Sequence, residues 1–446
     1  MNSKWKVEGF LETVDGELTI AGRKATEIVS ELGSPVFVYS GARIRSNIAR
    51  LRKIEDRIGC RLKICYASKA NSEAEILKIV REAGIDCEVN SGGELQMALD
   101  AGFAPSQINF NGNSKTEEEL EAAIRVGIYA IQADSVYEIE LTEKVAKRIG
   151  MRANVSPRMV PDIQTDTLHG LQTALVTSKF GMMPYEAVGA FHRWKNDDPH
   201  INLCGLHIHV GSQNPKAGPY RDALLSLFHY LKQIHDETGR SVGHLNIGGG
   251  FPVKYLHDDL HARYMDREQA ALLSTELEPS DIVGAAWTAV SNAAKAAGAE
   301  HLLSDIDLLI EPGRSVIGNA AVCLTTVRNR KSRPVAENEP EDIWLLTDAG
   351  FNILLSMETY KWYYQLISAT RADEPHERPY KVAGPLCDGG DVYFDIEGER
   401  RLPDFRVLPD NIVPGDLLAL LNTGAYTVSQ MFPYNGRPLP KVLVID

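Results

Sequence analysis

The stretch LKICYASKANSEAEILKIVREAGIDCEV (residues 62–89) decides the fold class of this chain. It opens with the apolar run 62–67, carries apolar residues at helical spacing over 72–84, and closes with the run 84–89. A strand, a helix that ends in glycine and a second strand make one βα repeat with parallel strands. The stretch therefore predicts an α/β fold.

The same alternation extends over residues 36–311. Further short apolar runs lie at 36–39, 107–111, 129–133, 152–156, 203–210, 244–248 and 308–312. With so many βα units, a closed parallel barrel is favoured over an open sheet. We therefore predict a TIM-type (β/α)8 barrel.

After Arg314 the pattern changes to extended segments. They lie at 321–330, 342–350, 380–387, 416–426 and 441–446, with one predicted helix at 357–367 and a surface loop at 332–341. The expected organisation is N-terminal strands at 1–38, the barrel at 39–314 and a C-terminal β domain, a sandwich or barrel, at 315–446. The strand-like N-terminal residues are expected to join that β domain.

Composition and charge argue against several classes of protein. The chain has 446 residues and a net charge of −13, without a basic run, which disfavours nucleic acid as a partner. No apolar run approaches the roughly 20 residues that cross a bilayer, and the N-terminus lacks the features of a signal peptide, so we expect a cytoplasmic protein without a membrane partner. The six cysteines include no C-x-x-C pair, so neither disulfides nor a metal site is predicted.

Lys69 follows the apolar run 62–67 directly. A lysine in such a place is usually a solvated side chain, but barrel enzymes place their reactive groups at the carboxyl ends of strands. Other strand ends carry HIHVGSQ (207–213), NIGGG (246–250) and IEPGR (310–314). Each is weak alone, because glycine triplets and Glu-Pro pairs usually form turns.

Together these strand ends indicate one cofactor. Ser212 and Gly248–Gly250 can offer hydrogen-bond donors to a phosphate, and a histidine can stack on an aromatic ring. Glu311 can keep a pyridine nitrogen protonated, and Lys69 can form a Schiff base with an aldehyde. The cofactor that carries phosphate, pyridine and aldehyde is pyridoxal 5′-phosphate.

Seven motifs strengthen this prediction. They are YASKAN (66–71), EVNSGGEL (88–95), HVGSQ (209–213), GGGFPV (248–253), EPGR (311–314), GPLCDGGD (384–391) and GAYT (424–427). In this order they resemble the alanine-racemase-fold (fold type III) pyridoxal phosphate-dependent decarboxylases, the group of diaminopimelate, ornithine and arginine decarboxylases. The resemblance covers nearly the whole chain and implies a head-to-tail homodimer with shared active sites.

Carried over by position, the resemblance assigns cofactor contacts to eleven residues. These are Lys69, Asp86, Glu94, His209, Ser212, Gly249, Gly250, Glu311, Gly313, Arg314 and Tyr426. Lys69 would form the Schiff base, His209 would stack on the ring and Glu311 would pair with the pyridine nitrogen. Asp86 and Glu94 would line the Lys69 side of the site.

The resemblance also implies catalytic and substrate-binding roles. Lys69, His209, Glu311 and Cys387 would be catalytic, with Cys387 as the candidate proton donor after carbon dioxide leaves a quinonoid intermediate. Substrate would meet four residues, Arg314, Cys387, Asp388 and Tyr426. Cys387 and Asp388 would reach into the active site of the partner subunit.

Two rival functions remain open. A racemase of the same fold is the nearest, but family racemases set an arginine against the pyridine nitrogen, where this chain has Glu311. A non-catalytic, antizyme-like regulator would be expected to lose the lysine or the cysteine, and Lys69 and Cys387 are both present.

The substrate is predicted from two differences between this chain and the usual motifs of diaminopimelate decarboxylases. Diaminopimelate decarboxylases usually have C-E-S after the Gly-Pro element and Arg-Pro after D-A-G, whereas this chain has Cys387-Asp388-Gly389 and, after Gly350, FNILLSMETYKWYY without arginine. The pattern looks closest to D-ornithine/D-lysine decarboxylases. We expect a basic D-amino acid, its distal ammonium on Asp388 and its chain along Tyr360–Tyr364, with meso-diaminopimelate as the alternative.

Overall fold

A computed structural model describes residues 5–160, 163, 165, 167–168, 171–173, 175, 177–334 and 341–446. The chain divides into two compact units. The barrel unit comprises Asn47–Pro252 and Glu276–Ser315, and the β unit comprises Met1–Ser46, Val253–Thr275 and Val316–Asp446.

The strands are numbered in chain order. They are β1 (Leu11–Val14), β2 (Glu17–Ile20), β3 (Arg23–Lys24), β4 (Val36–Ser40), β5 (Arg61–Ala67), β6 (Asp86–Val89), β7 (Ile108–Phe110), β8 (Ala130–Ala133), β9 (Ala153–Pro157), β10 (Ile201–Leu203), β11 (Gly205–His207), β12 (His244–Asn246), β13 (Asp307–Ile310), β14 (Ala321–Arg333), β15 (Asp342–Thr347), β16 (Leu366–Ser368), β17 (Arg378–Ala383), β18 (Arg406–Leu408), β19 (Leu417–Leu421) and β20 (Lys441–Ile445).

The α-helices are numbered in the same way. They are α1 (Ala25–Leu32), α2 (Gly41–Arg52), α3 (Ala74–Glu82), α4 (Gly92–Asp100), α5 (Glu117–Val126), α6 (Val136–Ile149), α7 (Pro184–Arg193), α8 (Gly218–Thr238), α9 (Asp259–Ala262), α10 (Arg267–Ser274), α11 (Pro279–Ala296), α12 (Arg314–Ile317) and α13 (Leu355–Thr359).

The barrel unit is built on nine parallel strand segments in the order β10-β9-β8-β7-β6-β5-β13-β12-β11. Only Cys204 separates β10 from β11, and these two segments pair with β9 and β12. Both ends of the sheet are thus the same stretch of chain, so the sheet closes and its nine segments occupy eight positions. The predicted α/β barrel is confirmed.

The helices of the barrel unit form because their apolar residues repeat at helical spacing. In α3 the buried side chains are Ile76, Leu77, Ile79 and Val80, and they cover one side of the helix. At the start of α5, Thr116 and Glu119 form a reciprocal capping box that satisfies backbone N–H groups of the first turn. The start of α5 is therefore set by local side-chain contacts.

The β unit is organised around β14. This strand pairs with β15, β19 and β4, and β4 pairs in turn with β20. The N-terminal hairpin strands contribute to the same core, in which Leu18, Ile20, Val36 and Leu324 are fully buried. The prediction that a second β domain includes the N-terminal strands is confirmed.

Two local predictions were wrong. The run 36–39 was counted among the βα repeats, although the predicted boundary at residue 38 placed most of it with the N-terminal strands; β4 belongs to the β unit, where it lies between β14 and β20. The helix predicted at 357–367 is limited to α13, because Lys361 has a positive φ of 49° and the following residues extend into β16. The predicted loop at 332–341 falls mostly on 335–340, outside the described residues.

Within the described residues, no helix has both the length and the apolar character needed to cross a membrane.

Gly205 offers a direct test of barrel packing. A Cβ added there would lie 2.0 Å from Nε2 of the buried His244 ring on the neighbouring strand. Gly205→Ala should therefore destabilise the protein by about 1–3 kcal/mol, as overpacking does, and lower the thermal midpoint. The second change His244→Ala should recover most of the loss.

Gly189→Ala is the matched control for that measurement. Gly189 lies in α7, and no atom stands within 4 Å of a Cβ built on it. Because alanine favours helices, this variant should keep or raise the midpoint. Equal midpoints for the two alanine variants would contradict the Gly205–His244 contact.

Candidate active site

Lys69 lies in a short 3-10 turn, Ser68–Ala70, that follows β5 at its carboxyl end. Its Nζ lies 3.4 Å from Oδ1 of Asn90 and 3.7 Å from Oε1 of Glu88. The side chain is 42% exposed, so its amine is accessible although it has a carboxylate beside it. This combination suits an amine that must react with a carbonyl group.

Glu88 is the residue beside Lys69 that sequence reasoning missed. It is fully buried, and burial raises the pKa of its carboxyl to about 7, while Lys69 acts in the opposite direction. Asp86, expected on this side of the site, instead forms an ion pair with Lys63 at 2.5 Å. Both carboxylates belong to β6, and Glu88 stands two residues nearer the end that carries the site.

Glu94 fixes the backbone around Lys69. Its Oε2 accepts hydrogen bonds from Oγ of Ser68 and from the backbone N–H of Asn90, both at 2.8 Å. Its own N–H donates to Oγ of Ser91, the cap of α4. Glu94 thus holds together the two segments that flank Lys69, as a positioning residue.

Glu311 lies just after β13 inside a set of three carboxamides. Asn246 and Asn109 donate to its Oε1 at 2.7 and 2.8 Å, and Asn111 donates to its Oε2 at 3.0 Å. The side chain is 5% exposed. Convergent N–H donors are what a buried carboxylate needs as an acceptor-only group. Asn246 opens the strand-end motif NIGGG but was given no role of its own, and Asn109 and Asn111 lie in no motif, so sequence reasoning missed all three donors.

The two strand-end histidines are neutral. Burial, aided by Arg158 and Lys69, holds the pKa of His209 well below its usual range, and burial does the same for His207. Nδ1 of His209 accepts a hydrogen bond from the backbone N–H of Gly249 at 3.1 Å. A neutral, oriented imidazole can stack on an aromatic ring without adding charge.

Arg158 is a second residue that sequence reasoning missed. It follows β9, is 7% exposed and packs over the ring of Phe180 at 4.4 Å. Asp134 lies 3.9 Å from its guanidinium. Arg158 brings a buried positive charge to the histidines and to both glutamates of the site.

The glycines after β12 permit a very close approach of backbone segments. A Cβ on Gly249 would lie 2.1 Å from the carbonyl oxygen of Glu311, and one on Gly250 would lie 1.9 Å from that of Gly211. No other residue type fits these two positions. This turn, called the glycine cradle, therefore packs directly against the segments that carry Ser212 and Gly313, two of the residues predicted to contact the phosphate.

The residues of the barrel unit fit pyridoxal phosphate. Several buried polar atoms have no hydrogen-bond partner among the described residues, namely Oε2 of Glu88, Oδ1 of Asn111 and Nδ1 of His207. Such atoms in a native fold call for a polar ligand or water. With the accessible amine of Lys69, the buried carboxylate of Glu311 and the glycine cradle, they match in chemical type the aldehyde, pyridine and phosphate of the cofactor.

In the β unit, Cys387 and Asp388 lie on an exposed loop held by its neighbours. The N–H of Cys387 donates to Oδ1 of Asn435 at 2.7 Å, and Tyr434 OH donates to Oδ2 of Asp388 at 3.1 Å. The buried Asp391 accepts from the N–H groups of Leu386 and Phe351 at 2.8 and 2.9 Å. Burial raises the pKa of Asp391 to about 6. The loop thus presents its thiol on a fixed backbone.

Two other predicted residues or segments lie in the β unit. Tyr426 is half-buried, with a positive φ of 58°. Trp362, Tyr363 and Tyr364 are at most 1% exposed and pack in the core, Trp362 and Tyr364 against Tyr255. The expectation that the aromatic segment 360–364 lines a substrate site is wrong for these three rings, because they have no free surface to offer.

Among the described residues, no group of three or more His, Cys, Asp or Glu side chains is arranged to hold a metal ion.

A lysine, a neutral histidine, a glycine cradle and a buried carboxylate at the strand ends of an α/β barrel define a pyridoxal phosphate enzyme. The family described as "Pyridoxal-dependent decarboxylase, pyridoxal binding domain" matches residues 43–318. The chain belongs to this family, the fold type III group of ornithine, arginine and diaminopimelate decarboxylases, and is an amino-acid carboxy-lyase that uses pyridoxal 5′-phosphate.

The chain is similar over nearly its full length to diaminopimelate decarboxylases. It is 32% identical to that of Archaeoglobus fulgidus, over 96% of this chain and 92% of the relative, and 31% identical to that of Bacillus subtilis, over 97% and 91%. The solved diaminopimelate decarboxylase of M. jannaschii superposes with a TM-score of 0.82 at 28% identity, covering 97% of this chain and 92% of that chain.

A lysine/ornithine decarboxylase from Vibrio vulnificus superposes with a TM-score of 0.73 at 19% identity, covering 94% of this chain and 97% of that chain, which shows the shared fold alone. The relatives therefore carry the name of the alternative substrate rather than that of the first expectation.

The Lys69–Glu88 pair gives a test of the site that is independent of substrate. In Glu88→Gln, borohydride trapping of pyridoxal phosphate on Lys69 should reach its midpoint at lower pH, because the ammonium form loses an anionic neighbour. The expected change is on the order of one pH unit. Mass spectrometry of the Lys69 peptide measures the trapping.

Asp86→Asn is the control, since Asp86 pairs with Lys63. It should leave the trapping midpoint where the unmodified protein has it. A midpoint that moves equally in both variants would contradict the specific pairing of Glu88 with Lys69.

Proposed function

We propose that this chain decarboxylates an amino acid that carries a second, distal ammonium group. The observation that best supports decarboxylation is that Lys69, the carboxamide-bound Glu311 and the glycine cradle lie at strand ends of one barrel. The distal ammonium group is proposed from Asp388 and from the related enzymes. When bound, pyridoxal phosphate supplies an aldehyde that condenses with amines and a ring that accepts electrons from the Cα–carboxylate bond. The protein's part is to bind, orient and move protons.

Within the barrel unit each side chain has a proposed task. Lys69 holds the cofactor until the substrate amine displaces it, and Glu88 is placed to receive or return the amine's proton at Nζ. Glu311 stabilises positive charge at the pyridine nitrogen, and neutral His209 supports the ring face. The Gly249–Gly250 turn, with Ser212, Gly313 and Arg314, binds the phosphate.

The roles of the β-unit residues are proposed from the resemblance. Cys387 donates a proton to Cα after carbon dioxide leaves, and Asp388 accepts the distal ammonium by a charge-assisted hydrogen bond. Tyr426 adds its hydroxyl to the phosphate contacts. In a head-to-tail homodimer, Cys387 and Asp388 would serve the active site of the partner subunit.

The first candidate substrate is meso-diaminopimelate. The relatives named diaminopimelate decarboxylase align over more than nine tenths of this chain at about 30% identity. The M. jannaschii enzyme, 27% identical, has also been solved with L-lysine, the product that decarboxylation of meso-diaminopimelate gives. Support for this candidate thus comes from relatedness.

The second candidate is a basic D-amino acid such as D-ornithine or D-lysine. Residues 351–364, all described, contain no arginine to meet a second carboxylate, and Asp388 stands where diaminopimelate decarboxylases usually have glutamate. A buried carboxylate without a partner is costly to bind. Support for this candidate comes from the two positions at which the chain differs from the usual diaminopimelate decarboxylase motifs.

A panel of substrates separates the candidates. Carbon dioxide release should be measured for meso-diaminopimelate, D-ornithine, D-lysine, their L-forms and L-arginine. We expect the substrate of the protein to exceed the others by at least about tenfold in kcat/KM, about 1.4 kcal/mol of transition-state binding. No release from any member, by protein that binds the cofactor at Lys69, would contradict the proposed substrate class.

Shared active sites are tested by mixing inactive subunits. Lys69→Ala and Cys387→Ala should each be inactive, but random exchange should restore about a quarter of the activity, because half of the dimers then carry one intact site of two. Exchange is verified by native mass spectrometry. Persistent inactivity of verified mixed dimers would show that each chain builds its own site.

A further inference from the structure

Asn111 connects the two buried carboxylates of the barrel unit. Its Nδ2 donates to Oε1 of Glu88 at 2.9 Å and to Oε2 of Glu311 at 3.0 Å. A carboxamide nitrogen has two N–H groups, so both are used, one on each glutamate. All three side chains are 5% exposed or less.

The two glutamates that Asn111 joins have different surroundings. Glu88 faces Lys69 at 3.7 Å, and Asn111 is its one carboxamide donor among the described residues. Glu311 has Asn109 and Asn246 as further donors and His207 at 3.6 Å. The other titratable or charged groups that face the pair from neighbouring elements are Glu94, Arg158 and Cys65.

We propose that Asn111 is a positioning residue that couples the reactive amine to the ring-binding carboxylate, so that a change of charge at Lys69 is felt at Glu311 and the reverse. This inference rests on the proposed function, in which Lys69 is released and rebound during each turnover while Glu311 supports charge on the ring. The amide ties the orientation of one glutamate to that of the other.

The coupling follows from the hydrogen-bond count. Without Asn111, Glu88 loses its amide donor, whereas Glu311 keeps two. Two carboxylates that share a buried site resist being charged together, and the one with fewer donors takes the proton. Glu88 would then be neutral, and Lys69 would lose its anionic neighbour. At the same time Glu311 would lose one of its three carboxamide donors.

Two measurements on the cofactor-loaded protein report separately on Lys69, beside Glu88, and on the ring nitrogen, beside Glu311. The pH dependence of borohydride trapping reports the amine of Lys69. After reduction, the pyridoxyl group stays on Lys69, and the pH dependence of its near-ultraviolet absorbance reports the ring nitrogen beside Glu311. Neither readout requires turnover.

The test compares Asn111→Ser with Asn109→Ser. Asn111→Ser removes a donor from both glutamates and should move both midpoints, with the trapping midpoint falling by on the order of one pH unit. Asn109→Ser removes a donor from Glu311 alone and should move only the absorbance midpoint. Equal patterns in the two variants, or an unchanged trapping midpoint in Asn111→Ser, would overturn the proposal.

A second variant covers the case in which Asn111→Ser does not fold. Glu88→Gln keeps the side-chain shape and should still move the absorbance midpoint at the ring, and an unmoved midpoint would overturn the coupling. Failure of the proposed function would appear differently, as absence of the label on Lys69 or of carbon dioxide release by the unmodified protein.

Discussion

A carboxylate can be kept inside a protein only if donors replace the water that it loses. The barrel meets this requirement at Glu311 with three carboxamides, and much of the site depends on that arrangement. Asn109 lies in β7, Asn246 ends β12 and Glu311 follows β13, so the parallel register of the strands sets the geometry. Neutral amides stabilise the carboxylate without cancelling its charge, and the charge remains available to a ligand.

Other groups of the site are also held in place by specific contacts. The glycine turn after β12 touches the backbone on both sides, and Glu94 fastens the segment that carries Lys69. His209 is oriented by a backbone N–H of that turn. Preorganised groups of this kind do not have to rearrange when charge develops in a reaction. The amine of Lys69 is more exposed than the Glu88 carboxylate beside it, so a ligand can reach it from solvent.

The fold and the strand-end residues were accessible from sequence because both follow simple periodicities. Apolar runs that alternate with amphipathic segments predict βα units, and Lys69 or Glu311 at the end of such a run is visible without coordinates. Counting the run 36–39 among the βα repeats was wrong because the sequence of an apolar strand does not show which sheet it joins. The helix at 357–367 was wrong because Trp362, Tyr363 and Tyr364 are buried from an extended backbone, and aromatic residues suit either conformation.

The parts of the site that sequence reasoning missed depend on three-dimensional neighbours. Asn109 and Asn111 can donate to Glu311 only because the fold brings β7 and the residue after it close to that carboxylate. No spacing of asparagine in the sequence predicts these hydrogen bonds. Asp86 was preferred to Glu88 although both point to the same side of β6. The strand direction could have decided between them, since the residue nearer the carboxyl end approaches Lys69.

The β unit is assembled from three separate segments of chain, and this has a consequence for biosynthesis. β4 spans Val36–Ser40, yet its two sheet neighbours, β14 and β20, begin at residues 321 and 441 and are synthesised much later. All barrel strands have been made by residue 310. Domains commonly fold as they are synthesised, so the barrel can close while β4 is still an unpaired apolar edge. The nascent chain must therefore keep β4 from aggregating until β14 and β20 have been made.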